Sequence, residues 1–227
     1  MIETKKVIVL IVEGRTDATA FAVIKKMRIN EDIHFQIVNG DITSDRNSNV
    51  ANIIKKVNSH IEACRKKNRF RKSDILKVIH IVDTDGAYIP EKNINYSSED
   101  GVIYTLEGIK TYNVEGIRER NIKKSAILNK LHSTKEIANI PYSIYYMSSN
   151  LEHVLHNKQN ATKDDKASLS NGIYDKYHDN PEGFSKFICE SGFSVKQDYQ
   201  ASWEFIKQGN NSLHRHTNFN LFFEEGT

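Results

Sequence analysis

The sequence predicts an α/β fold, with a mostly parallel sheet flanked by helices and a helical C-terminal extension. Three observations carry this. Lys6 to Val12 (KVIVLIV) and Ile75 to Val82 (ILKVIHIV) are almost wholly apolar, as expected of central strands covered on both faces. Helical-period segments follow the first of these strands and precede the second. The resulting βαβαβ order, with right-handed crossovers, makes the strands parallel and gathers their carboxyl ends on one rim.

The first strand breaks at Glu13-Gly14, where glycine lets the chain turn sharply. Sites in open parallel sheets form at the carboxyl ends of strands, so Glu13 is a candidate site residue. The following helix is expected to begin near Thr16 or Asp17, with Thr16 as N-cap and Ala20, Phe21, Val23, Ile24 and Met27 at helical spacing. Asp17 suits a first turn, where the helix dipole favours an anion. His34 to Val38 predicts a second strand, Asn39-Gly40-Asp41 a turn, and the polar residues to Asn49 a loop. Val50, Ile53, Ile54, Val57, Ile61 and Cys64 predict a second helix, ending in the densest basic run of the chain, Arg65 to Lys72. Within it Lys66, Lys67, Arg69 and Arg71 read either as a solvated, dipole-complementing helix end or as phosphate contacts.

The third strand runs into Asp83-Thr84-Asp85-Gly86. Side chains alternate along a strand, so Asp83 and Asp85 are expected to point the same way. Two carboxylates that close repel unless a cation lies between them, and Mg2+ suits such hard oxygen donors. Residues 86 to 101 read as loop, Val102 to Leu106 as a short strand, and Ile117 to Leu131 as an amphipathic helix with Ile122, Ala126, Ile127, Leu128 and Leu131 inward. Arg118, Arg120, Lys123 and Lys124 form a second basic cluster there, a solvated face or a backbone contact for nucleic acid.

Tyr142 to Met147 predicts a further strand, and Ser148-Ser149-Asn150 a helix start that puts Glu152 in the first turn. His153 and His156, one turn apart, have a metal-binding spacing but no third partner, so ordinary polar positions are expected. Residues 157 to 172 are Lys-, Asp- and Ser-rich and predict a mobile loop. Ile173 to Cys189 and Trp203 to Ile206 supply a helical cap, and Leu221-Phe222-Phe223 a segment that packs back. The organisation read from this is a domain over 1–160 and a helical extension over 161–227 packed on it.

Ile11-Val12-Glu13-Gly14-Arg15-Thr16-Asp17 followed by Val82-Asp83-Thr84-Asp85 resembles a Toprim domain, the Rossmann-like module of topoisomerases, primases and several nucleases. Ser148-Ser149-Asn150-Leu151-Glu152-His153-Val154-Leu155-His156 is similar to a segment of the RloB-like and OLD-family phage-defence nucleases, with Val154 where tryptophan is usual. The resemblance covers roughly residues 5 to 160 and implies catalytic Glu13, Asp83 and Asp85. It implies metal ligation by the same three and by Asp17 and Glu152, although Asp17 and Glu152 also read as plain dipole-complementing residues. Five carboxylates exceed what one divalent ion neutralises, so two Mg2+ or Mn2+ ions are expected. Arg15, Lys66, Lys67, Arg69, Arg71, Lys123, Lys124 and Lys158 are the nucleic-acid candidates, and Lys158 and Lys163 are equal candidates for the cation some OLD-like sites use on the phosphate.

The function so implied is metal-dependent endonuclease action on RNA such as tRNA, or on DNA, in anti-phage defence or abortive infection. Two other readings stand beside it: a small Toprim RNA-maturation ribonuclease, and a non-catalytic regulatory or sensor subunit of a defence complex. Topoisomerase and primase readings need domains for which 227 residues leave no room. Lys and Arg number 32 against 29 acids, so any nucleic-acid surface must come from local clustering. Two distant cysteines, Cys64 and Cys189, read as thiols of a reducing cytoplasm, and the chain lacks a signal-peptide layout and any membrane-length apolar run. An ATPase partner and a homodimer are the protein assemblies this reading admits.

Overall fold

Burial on both faces turns the two apolar runs into neighbouring strands. In the computed structural model, which describes residues 6–27, 33–40 and 42–224, residues 7–12 of β1 (Lys6–Val12) are all buried. β1 lies between β2 (Ile33–Asn39) and β3 (Ile75–Asp83), parallel to both, with Ile11 opposite Val38 on one side and His80 on the other. β8 (Ile140–Met147) follows β3 in the sheet and forms an antiparallel hairpin with β7 (Glu136–Ile137). The order β2-β1-β3-β8-β7 is a mixed, mostly parallel sheet flanked by helices, the α/β class read from the sequence. The chain divides into two units. One comprises Met1–Val82, Ile127–Tyr145 and Ser170–Phe184, the other Asp83–Ala126, Tyr146–Leu169 and Ser185–Thr227.

In the first unit, α1 (Arg15–Ala20) starts two residues earlier than expected, with Gly14 and not Thr16 as N-cap. It continues as a 3-10 turn over Phe21–Lys26 that buries Phe21, Val23 and Ile24. α2 (Ile53–Asn68) buries Ile53, Val57, Ile61 and Cys64, whereas Val50, expected on that face, precedes the helix and is exposed. The Asn39-Gly40-Asp41 turn is described only as far as Gly40, whose N–H bonds the Val12 carbonyl at 2.9 Å; Asp41 lies outside the described residues. Tyr177 and Phe184 supply aromatic edges, and the Phe21 and Phe184 ring centroids are 6.2 Å apart.

His80 is the buried polar residue inside the β3 run. It is fully buried, and its Nδ1 hydrogen-bonds the Tyr142 hydroxyl at 2.8 Å. Burial, then the neighbouring His60, pushes its pKa down to about 3. Below the ordinary imidazole value near 6.5 the unfolded chain takes up a proton that the folded chain refuses. Stability is therefore expected to fall between pH 6.5 and about 3, by up to ~1.4 kcal/mol per pH unit from this group. Melting temperature against pH should show the fall, with a shallower slope in His80→Phe.

The second unit contains a three-stranded sheet, β4 (Ile94–Tyr96) and β5 (Val102–Tyr104) on either side of β6 (Ile109–Thr111), where a loop and one strand were expected. Three-residue strands are too short to display a period-2 pattern. α3 (Val114–Ser133) begins in this unit, and Ile117 joins Ile89, Ile94, Ile109 and Leu213 in a small core. α4 (Leu151–His156) starts where Ser148-Ser149-Asn150 predicted, with Asn150 Oδ1 accepting the His153 N–H at 2.9 Å. α5 (Lys163–Tyr177) replaces much of the expected mobile loop. Thr162 and Asp165 exchange hydrogen bonds as a capping box, a helix-start signal hidden by the polar composition.

α6 (Pro181–Glu190), α7 (Tyr199–Ile206) and α8 (Asn220–Glu224) complete the helical C-terminal part. Trp203 is fully buried against Tyr146, ring centroids 5.2 Å apart. Asn218, also fully buried, accepts the Tyr146 N–H at 2.9 Å and donates to Ser202 Oγ at 3.0 Å. Asn218→Ala strands a buried N–H and should cost about 2 kcal/mol, read from the urea midpoint. Both cysteines are free thiols, Cys64 buried and Cys189 partly exposed. No helix among the described residues is long and apolar enough to cross a membrane.

Candidate functional site

In the first unit Glu13 follows the last residue of β1, partly buried, and accepts a hydrogen bond from the buried Thr43 hydroxyl. Asp17 is buried and serves as a cap: Oδ2 accepts the Gly14 N–H at 2.9 Å and Oδ1 faces the Thr16 hydroxyl at 3.4 Å. The dipole-complementing role considered for it is thus built into the turn. Arg15 is exposed beside it. At the end of α2, Lys66, Lys67 and Arg69 are exposed, with Arg69 in the left-handed region at φ 58°, while Arg71 lies 3.5 Å from Asp74.

In the second unit β3 ends at Asp83, which is partly exposed, and the chain leaves strand geometry at once. Asp85 and Gly86 are both left-handed, φ 48° and 66°. Strand alternation therefore stops short of Asp85, contrary to the expectation that both acids follow one strand register. Gly86 is required twice over, since a Cβ there would also meet Leu213 Cδ2 at 2.6 Å. Thr84, fully buried, pins the turn: its N–H bonds the Met147 carbonyl at 3.0 Å, and its hydroxyl donates to the Ser212 carbonyl and accepts from the Ser149 N–H, each at 2.8 Å.

α3 grips the same turn with one side. Arg120 Nη2 donates to the Asp85 carbonyl at 2.7 Å, and Asn121 Nδ2 to the Gly86 carbonyl at 3.2 Å. Lys124 Nζ forms an ion pair with Asp85 Oδ2. The Lys124 side chain is 3% exposed and that of Asp85 23%. Burial works to raise the Asp85 pKa, but Lys124 and then Arg120 outweigh it and hold the carboxyl below its usual range. Arg120 also donates to the Tyr104 hydroxyl at 2.8 Å. The basic cluster read as a solvated helix face is thus divided, because Lys124 points inward, whereas Ile122, expected inward, is 60% exposed.

Glu152, on α4, is 1% exposed, and neither carboxylate oxygen accepts a well-formed hydrogen bond. Its counter-charge is Lys166 of α5, Nζ 3.1 Å from Oε2. Lys158 is exposed and paired with Asp165, whose pKa this pairing and the Thr162 cap lower to about 2. Lys163 is exposed on the first turn of α5. His153 is buried, and burial followed by nearby Arg215 pushes its pKa down to about 4, so it is neutral near pH 7.

Donor chemistry fits a hard divalent ion on two observations of the second unit: Glu152 presents two buried oxygens lacking hydrogen bonds, and Asp85 holds an ammonium as stand-in cation. Among the described residues no group of three His, Cys, Asp or Glu is arranged to hold a metal ion; at Asp85 and Glu152, lysines meet the acids instead.

Sequence reading missed Asn121, Lys166, Thr43 and Thr84, and it took Lys124, buried on Asp85, as a nucleic-acid contact. A signal for two of them was present: Ile117, Asn121, Lys124, Leu128 and Leu131 are spaced as one helix stripe, and polar residues inside an apolar stripe call for buried partners. Comparison with family models, with curated proteins and with solved structures finds no match to this chain.

Proposed function

We propose that this chain is a Toprim-type nuclease, hydrolysing phosphodiester bonds of RNA or DNA with Mg2+ or Mn2+. The supporting observation is that adjacent parallel strands β1 and β3 each run into an acid at the carboxyl end, Glu13 after one and Asp83 closing the other. The Toprim resemblance assigns the ions to Glu13, Asp83 and Asp85, with Asp17 and Glu152 in addition. When bound, they supply an activated water and stabilise the leaving oxygen.

The chain's own residues prepare that chemistry. Thr43 orients the Glu13 carboxylate, and Thr84, Arg120 and Asn121 fix the Asp85 turn, so the acids need little reorganisation. Exposed Lys66, Lys67 and Arg69 suit contacts to a sugar-phosphate backbone, but they lead into the amino end of β3, the end opposite Asp83, so such contacts would lie away from that acid. Incubating the full chain with labelled tRNA, single-stranded RNA, plasmid and linear DNA in Mg2+ or Mn2+ tests the reading. Cleavage of one substrate that stops on chelation is expected; no cleavage with metal bound would refute it.

The lysines on Asp85 and Glu152 favour a second reading, a non-catalytic binding subunit, since both acids already have counter-charges. Growth separates the two. An active nuclease expressed without restraint should slow the host, and Asp85→Asn should relieve the burden; a binding subunit should leave growth unchanged in both forms.

A further inference from the structure

The geometry points to Lys124 and Lys166 as internal counter-ions that hold Asp85 and Glu152 until a divalent ion takes their place, an inference that rests on the metal-site reading above. Each of these acids pairs with a lysine brought by a different helix, Lys124 of α3 on Asp85 and Lys166 of α5 on Glu152. Two ammonium groups supply the charge that one divalent ion would bring.

A purely structural purpose explains the arrangement poorly. A buried ion pair contributes little net stability compared with apolar packing. The turn is already fixed by Arg120 on the Asp85 carbonyl, by Asn121 on the Gly86 carbonyl and by Thr84, so the Lys124 charge is not needed to shape it. What it does is neutralise the Asp85 carboxylate. Glu152 shows the same economy, with a lysine near one oxygen and no hydrogen bond to either.

The residue types fit withdrawal. Lysine carries a point charge on a flexible four-carbon stem and can swing away without rebuilding a fork of bonds. Arg120, tied to Tyr104, Asn121 and the Asp85 carbonyl, is the group that stays.

Amine labelling of the full chain with an acetylating reagent, read by peptide mass spectrometry with parallel Mn2+ calorimetry, tests the exchange. Without metal, Lys124 should label far more slowly than exposed Lys66 and Lys67; saturating Mn2+ should speed Lys124 and Lys166 several-fold and leave the α2 lysines unchanged. Asp85→Asn should label quickly at Lys124 with or without Mn2+. Lys124→Met, in which no ammonium competes for Asp85, should bind Mn2+ about tenfold more tightly. Mn2+ binding with Lys124 labelling unchanged would overturn the exchange and leave the metal site standing. Absence of Mn2+ binding in both wild type and Lys124→Met would overturn the exchange and the metal-site reading together.

Discussion

Asp83→Asn combined with Asp85→Asn is expected to reduce cleavage by roughly 10³-fold or more, the scale of losing preorganised electrostatic groups at a reacting phosphate. Asparagine is the right replacement because residue 85 has φ 48°, a region asparagine tolerates and alanine does not. Arg120 on the residue 85 carbonyl and Asn121 on the Gly86 carbonyl still grip the turn, so the loss would report charge and not its collapse. The circular dichroism of a folded chain, a melting temperature some degrees lower because buried Lys124 loses its counter-charge, and cleavage gone are the expected results. Cleavage retained near the wild-type rate would remove Asp83 and Asp85 from the chemistry.

Lys124→Met is expected to destabilise the metal-free protein by about 3 kcal/mol, because the partly buried Asp85 carboxylate loses its nearest counter-charge. For a chain of this size that is a fall in melting temperature of about 8 °C. Methionine keeps most of the stem volume, so the change reads charge more than packing. Asp85→Asn in the same background removes the stranded charge and should restore part of the loss, which a double-mutant cycle measures. Lys130→Met, at an exposed position of the same helix, should change stability by less than about 0.5 kcal/mol. Equal effects at Lys124 and Lys130 would show that the buried pair carries no coupling.

The sheet was legible because its evidence is local and continuous. KVIVLIV and ILKVIHIV are apolar at nearly every position, which suits a strand covered on both faces, and they form neighbouring parallel strands. Asn150 capped α4 as its residue type and position imply, because a cap is made within four residues. Short or compositionally masked elements were not legible. β4, β5 and β6 have three residues each, and the capping box of α5 sits in a polar stretch.

By itself, then, the sequence determined the α/β class, the strands that run into Glu13 and Asp83, and the helix that carries Glu152. Only the tertiary structure decided what each acid meets. Lys124 lies 39 residues from Asp85, and Ser212 128 residues from Thr84, so neither partnership leaves a local pattern. The direction of Asp85 follows from a left-handed backbone held by those distant groups. The physical reason is range: hydrophobic periodicity and capping act within a few turns of chain, whereas counter-charges and turn anchors are recruited from wherever folding brings them.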